Sequence, residues 1–315
     1  MYTDYYGLME KPFEITPDPR FLYLSEQHKE ALAHLIYAAR EGKGLTVISG
    51  EVGTGKTLMG HTLLGRLDKH TKTIYLFNPN LSPLDFLQTL CESLGLKSGE
   101  KSRGQLISLL HDYLLEVNTA GEKVLLVIDE AQCLSPALLE EIRLLTNLET
   151  DRAKLLLIVL LGQPELNELL DRYEFRQLKQ RISLRYHIQT LNKEDVKKYI
   201  EKRLMVGGAS NLRIFSTKAV KKIYAYSKGT PRLINIICDN ALLTGFATNQ
   251  KNIKAAIIQE VVQRLNGPGR KKKQKLGVPI FATVLGCLLL GGLFFIWNNG
   301  WLEKIIDRAE RILFF

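Results

Sequence analysis

The chain has 315 residues, 45% of them apolar and 24% charged, with a formal net charge of +10. That length holds about two domains with sizeable cores, and the composition excludes a disordered or low-complexity polymer. Cys91, Cys133, Cys238 and Cys287 lie far apart and the histidines form no ligand cluster, which argues against a disulfide scaffold or a structural metal site.

The first residues, Met1 to Phe21, mix polar, aromatic and proline positions and do not read as a signal peptide. Tyr5, Tyr6, Pro12, Phe13, Pro17 and Pro19 suit a strap packed on a sheet; the alternative is that one or two of them join Phe21 and Tyr23 in an adenine pocket. An apolar run, Leu45 to Ile48, then leads into Gly50-Glu51-Val52-Gly53-Thr54-Gly55-Lys56-Thr57, followed by a helical pattern from Leu58 to Leu67. Strand, glycine-rich loop and helix in this order make a phosphate-binding loop. Its glycines let backbone N–H groups curl around phosphate oxygens, and the helix N-terminus adds partial positive charge. Gly50 through Leu58 are the expected nucleotide contacts, with Lys56 reaching the β- and γ-phosphates and Thr57 holding Mg²⁺.

A second strand is expected at Lys72 to Phe77 and a third at Val124 to Ile128, which ends in Asp129-Glu130. An acidic pair at the C-terminal end of a buried parallel strand is a Walker B arrangement. Asp129 is the expected second metal ligand and Glu130 the general base for an attacking water. A fourth strand, Leu155 to Leu161, ends at Gly162-Gln163-Pro164. Gln163 is a candidate γ-phosphate sensor; the competing explanation is a helix-entry turn, since proline suits a first helical position. The basic segment Arg172, Arg176, Lys179, Arg181 and Arg185 is either a solvated helix face or the source of an arginine finger, with Arg181 and then Arg176 as candidates. A fifth strand follows at Ser183 to Gln189.

From Asn192 the pattern becomes helical. Asn192 is an expected N-cap, Gly207-Gly208 a helix end, Ser216 to Ser227 a second helix, Pro231 the opening of a third, and Asn252 to Leu265 a fourth. Arg232 falls in the first turn of the third helix, where the macrodipole disfavours a cation, so a phosphate partner is expected there. Residues 1–191 are therefore expected to form the α/β nucleotide-binding domain and 192–266 a helical lid.

Arg270, Lys271, Lys272, Lys273 and Lys275 hold five of the positive charges in a linker, 267–275. Leu276 to Trp297 carries no charged side chain, and at about 1.5 Å per residue it exceeds the roughly 30 Å of a bilayer's hydrocarbon. With Trp297 and Trp301 at interface positions, it is expected to be a transmembrane helix. The basic block before it places the nucleotide-binding part in the cytoplasm, and the tail 298–315, with an amphipathic pattern from Leu302, on the other side.

Phosphate loop, acidic pair, strand-tip Gln163, upstream arginine and Gly229-Thr230-Pro231-Arg232, in this order, resemble an AAA+ ATPase: an α/β P-loop NTPase with a five-stranded parallel sheet and a small all-α lid. Arg232 then resembles the sensor-2 arginine. More narrowly, Tyr6-Gly7-Leu8, Lys11-Pro12-Phe13, Pro17-Asp18-Pro19, Asp129-Glu130-Ala131-Gln132, Leu138 to Arg143, Asn147 to Thr150 and Gly162-Gln163-Pro164-Glu165-Leu166 resemble the general secretion pathway protein A (ExeA-type) family. That resemblance implies an inner-membrane ATPase using ATP and Mg²⁺ and helping to assemble a type II secretion channel, with relatives serving pilus or polysaccharide loci. It further implies a homo-oligomer completed by an arginine in trans. The chain departs from that pattern in lacking a periplasmic peptidoglycan-binding domain after the span, so a separate periplasmic or inner-membrane assembly partner is expected. Nucleic acid is not expected as a partner; the alternative is a DNA-binding AAA+ ATPase of the transposition or initiator type.

Overall fold

In the computed structural model, residues 1–16, 18–77 and 79–266 are described. Five strands, β1 (Leu45–Gly50), β2 (Thr71–Leu76), β3 (Lys123–Ile128), β4 (Leu156–Gly162) and β5 (Ile182–Ile188), form one parallel sheet in the order β2-β3-β4-β1-β5. All five expected strands are present, with ends that differ by a residue or two. β1 and β4 are buried along their whole length, as their unbroken apolar runs require of central parallel strands. β5 alternates between partly buried and exposed positions, which suits an edge.

The period-two alternation of the strands divides the sheet core between two faces. Val47, Leu126, Ile158 and Leu160 face one layer of helices: α4 (Pro83–Ser93), α5 (Arg103–Thr119), α6 (Pro136–Leu145), α7 (Pro164–Leu170) and α8 (Arg176–Gln180). Ile48, Val127, Val159 and Leu161 face the other layer, α2 (Glu26–Glu41) and α3 (Lys56–Leu64). Each fully buried aliphatic side chain contributes about 1.5–3 kcal/mol.

Beyond β5 come α9 (Lys193–Val206), α10 (Thr217–Ser227), α11 (Pro231–Ala247) and α12 (Ala255–Leu265). Asn192 caps α9 as expected, its Oδ1 accepting from the Glu194 and Asp195 amides at 2.9 and 2.8 Å. These helices have a core of their own, with Val196, Leu204, Ile223, Ile237 and Ile258 at its centre. Gly229 couples them to the end of β5: its carbonyl accepts from the Leu191 amide at 3.0 Å, φ is +82°, and a Cβ there would lie 1.8 Å from the Leu191 carbonyl oxygen. Only glycine fits.

The N-terminal segment departs from expectation. Tyr2, Tyr6, Leu8 and Phe13 are buried in the helical core and do not strap the sheet. Short helix α1 (Tyr2–Tyr6) lies against α11: Tyr2 donates to Asp239, Tyr5 to Asn249 at 3.0 Å, and Tyr6 to the Gln250 carbonyl at 2.8 Å. The aromatic rings were the legible signal, and the surface they cover was set by residues more than 200 positions away.

Met1–Val262 pack into one compact unit, which contains the site described below. The basic linker 267–275, the span 276–297 and the tail 298–315 lie outside the described residues. Among the described residues no helix is long and apolar enough to cross a membrane.

Candidate active site

The site lies where the strand order places it, at the C-terminal ends of β1, β3 and β4. The loop between β1 and α3 holds Gly53 at φ +79° and Gly55 at φ +99°, left-handed conformations open to glycine. Gly53 has a second reason: a Cβ there would lie 2.6 Å from Cβ of Arg232. Lys56 opens α3 and is buried; its Nζ donates to the loop's own carbonyls, Gly50 at 2.7 Å and Glu51 at 3.0 Å. Burial lowers its pKa, and the nearby carboxylates of Glu130, Asp129 and Glu51 oppose that shift. Thr54 Oγ1 donates to the Glu51 carbonyl at 2.9 Å.

His28, on α2, supports the loop from below. Its Nε2 is 3.1 Å from the Thr54 carbonyl oxygen and its Nδ1 2.6 Å from Ser25 Oγ. A carbonyl can only accept, so Nε2 carries the proton and Nδ1 accepts from the Ser25 hydroxyl. Burial lowers the His28 pKa, against the raising effect of the Thr54 contact.

Asp129 follows β3 and is fully buried. Its Oδ2 accepts from Thr57 Oγ1 at 2.6 Å and from Tyr75 Oη at 3.0 Å, and its Oδ1 from the Glu130 amide at 2.9 Å. Burial, and next the Asp129 charge, raise the Tyr75 pKa strongly, so the phenol is a donor. Thr57 and Asp129 thus place two hard oxygens side by side. Among the described residues no cluster of three or more His, Cys, Asp or Glu could hold a metal by itself. A hydroxyl and one carboxylate beside a phosphate-binding loop fit Mg²⁺, which binds through few protein ligands plus phosphates and water.

Glu130 adopts φ +52°, ψ +37°, left-handed for a residue with a Cβ, just past the end of β3. Two glutamines hold its carboxylate. Gln132 Nε2 donates to Glu130 Oε2 at 2.5 Å and Gln163 Nε2 to the same oxygen at 3.3 Å. Gln132 Oε1 in turn accepts from the Gln163 amide at 2.9 Å, which ties the end of β3 to the end of β4. Gln163 also precedes Pro164 at the start of α7, so the helix-entry turn and the position beside Glu130 coexist.

The helical region closes the site from above. Pro231 is the first residue of α11, and the exposed Arg232 follows it, its amide donating to the Gly53 carbonyl at 3.3 Å. A cavity of about 360 Å³ lies between, lined by Val52, Gly53, Gly55, Lys56, Thr57, Leu58, Glu130, Gln163 and Arg232. A recess of about 50 Å³ adjoins it, lined by Phe21, Tyr23, His28, Leu58, Met59 and Leu191. Gly50 and Glu51 contribute the carbonyls that hold Lys56.

Arg181 is not brought to this cavity. It caps the end of α8 beside the start of β5, at the N-terminal ends of the strands and so opposite the site, and lines a separate cleft with Arg143 and Lys154. Arg176 stacks its guanidinium over the Tyr173 ring at 4.2 Å. Sequence reasoning missed Tyr75, Gln132, His28, Tyr199, Arg203 and Asn235 at the site. Gln132 had a local signal, standing two residues after Glu130; the others come from strand or helix positions that carry no motif.

An AAA-domain family model matches residues 39–170. Solved structures share the fold: the ORC2 protein of Aeropyrum pernix (TM-score 0.62, 15% identity, 82% of this chain and 72% of that one), a Drosophila ORC bound to DNA (TM-score 0.63, 18% identity, 81% and 64%) and the RuvB branch migration motor of Thermotoga maritima (TM-score 0.52, 19% identity, 77% and 70%). Phosphate loop, acidic pair, parallel sheet and helical cap together make this chain an AAA+ P-loop NTPase. General secretion pathway protein A of Aeromonas hydrophila is 41% identical over 299 residues, 95% of this chain and 54% of that protein. The chain belongs to the general secretion pathway protein A family, and it spans about half the length of the curated relative it matches.

Proposed function

We propose that this protein hydrolyses ATP, and that a membrane-anchored oligomer uses the cycle to drive assembly of an envelope machine of the secretion, pilus or polysaccharide-export kind. The observation that carries the hydrolytic part is the convergence of Lys56, Thr57, Glu130 and Arg232 on one cavity, with Asp129 hydrogen-bonded behind Thr57. The loop amides and Lys56 hold the phosphates, which requires Lys56 to exchange the Gly50 and Glu51 carbonyls for phosphate oxygens. The adjoining aromatic recess takes the adenine. Glu130 accepts a proton from the attacking water as the water's oxygen bonds to the γ-phosphorus and the bond to the β–γ bridging oxygen breaks. Thr57 and Asp129 would hold Mg²⁺, which supplies charge neutralisation at the phosphates. Arg232 meets γ-phosphate charge from the lid side, and Gln163 orients Glu130.

The envelope role rests on kinship with general secretion pathway protein A and on the uncharged segment 276–297, which would anchor the ATPase to the cytoplasmic face of a bacterial inner membrane. In this scheme 1–191 and 192–266 act as engine and lid, 267–275 as linker and 298–315 as a periplasmic tail. Arg181 lies far from its own cavity, where an arginine acting on a neighbouring subunit has to be.

The test is the ATPase rate per subunit of the full chain in detergent against protein concentration, with and without double-stranded DNA. A per-subunit rate that rises with concentration and ignores DNA supports this proposal. A rate independent of concentration removes the in-trans arginine, and stimulation by DNA moves the protein to the DNA-handling class.

A further inference from the structure

Arg203 lies on α9 and is only 7% exposed. Its Nε donates to the Pro12 carbonyl, its Nη1 to Tyr199 Oη at 3.1 Å, and its Nη2 to the Glu14 carbonyl at 3.0 Å. The Phe21 ring lies under the guanidinium, 4.8 Å from the centroid. All these partners are neutral. A guanidinium has five N–H donors, and these contacts use three of them. Buried charge is normally paired, because removing it from water costs several kcal/mol. Here a full positive charge at the wall of a cavity is hydrogen-bonded only to carbonyls and a phenol and stacked on a ring; the Asp18 carboxylate, which feels the Arg203 charge, accepts its hydrogen bonds from Arg20.

The position of that wall identifies the missing partner. Arg203 lines both the 360 Å³ cavity at the phosphate loop and the 50 Å³ aromatic recess beside it. It stands where the two meet. With the terminal phosphates on Lys56 and the base in the recess, the junction receives the ribose and the α-phosphate. Neutral hydrogen-bond partners on one side and an anionic ligand on the other satisfy both the donors and the charge.

The same side chain holds the N-terminal strap. The carbonyls of Pro12 and Glu14 belong to the segment between the helical core, where Phe13 is buried, and Phe21 at the recess. Asn235 on α11 extends the network: its Oδ1 accepts from Tyr199 Oη at 2.8 Å and its Nδ2 donates to the Glu14 carbonyl at 3.4 Å.

Building on the ATPase proposal, we infer that Arg203 binds the α-phosphate–ribose portion of the nucleotide, and that through it a bound nucleotide orders the N-terminal strap. This portion is common to ATP and ADP, so Arg203 acts on both alike, whereas Arg232 responds to the γ-phosphate.

The test is calorimetric ATP and ADP affinity, steady-state kinetics, and hydrogen–deuterium exchange of residues 13–23, on the full chain in detergent, for wild type, Arg203→Met and Arg203→Lys. In the wild type ADP slows exchange at 13–23. Arg203→Met weakens ATP and ADP by a similar factor, about tenfold or more as for a lost charge-assisted hydrogen bond, raises KM by more than it lowers kcat, and abolishes the ADP effect on exchange. Arg203→Lys retains the charge and loses less affinity. Unchanged affinity in Arg203→Met, or loss confined to ATP, overturns the inference. Should both variants fail to fold, wild-type exchange decides: strap amides indifferent to ADP overturn it and slowed amides support it. A wild-type chain that binds no nucleotide overturns the ATPase proposal itself.

Discussion

On the sheet side of the cavity, Asp129 is fully buried and accepts hydrogen bonds from Thr57, Tyr75 and the Glu130 amide. On the lid side, Arg232 is exposed, and its backbone meets the phosphate loop through one hydrogen bond of 3.3 Å. The sheet wall is therefore preorganised, with acceptors and donors fixed by β-strand packing before any ligand arrives. The helical wall meets the phosphate loop through that one backbone hydrogen bond and leaves the Arg232 side chain exposed. Under the proposed ATPase cycle, the sheet wall binds the nucleotide and the helical wall responds to it.

Substitutions on the two walls should separate binding from turnover. The largest effect is expected from Lys56→Ala, which removes the one buried cation of the loop: ATP binding followed by calorimetry should fall below detection. Arg232→Ala should leave ADP affinity near wild type and lower kcat about ten- to hundredfold, the range for a lost charge-assisted contact; an equal loss of ADP affinity would make the lid a simple binding wall. Gln132→Ala frees the Glu130 carboxylate from its 2.5 Å partner. It should lower kcat about tenfold with ATP affinity unchanged, because Gln132 positions the base and touches no phosphate.

The smallest effect concerns His28. Burial holds its folded pKa below the ordinary 6.5, so the unfolded chain binds the extra proton first. Its contribution is present above about pH 6.5 and is lost as pH falls through the lower folded value. The midpoint of thermal unfolding should decline below pH 6.5 in the wild type, and His28→Gln should flatten that part of the profile. An unchanged slope would place the pH sensitivity elsewhere.

The same two walls differ in how far the primary structure disclosed them. Gly50 to Thr57 and Asp129-Glu130 are contiguous runs at strand ends, where one strand's exit fixes several functional groups together, so spacing alone identified them. Arg232 was legible because a cation in the first turn of a helix opposes the helix dipole. Arg203, Tyr199 and Asn235 sit at ordinary helical positions; Arg203 and Asn235 meet the Pro12 and Glu14 carbonyls about 190 to 220 residues away, and Tyr199 links the two side chains. No local pattern encodes a pairing of that range. The misassigned strap has the same cause: its aromatic residues declared burial, and which core received them was decided by tertiary packing.

The most direct test of the central claim is single-turnover hydrolysis by Glu130→Gln beside equilibrium ATP binding. The account predicts wild-type affinity with turnover reduced about 10²–10⁴-fold, the usual contribution of a general base. Normal turnover in that variant would contradict it and require another group to activate the water.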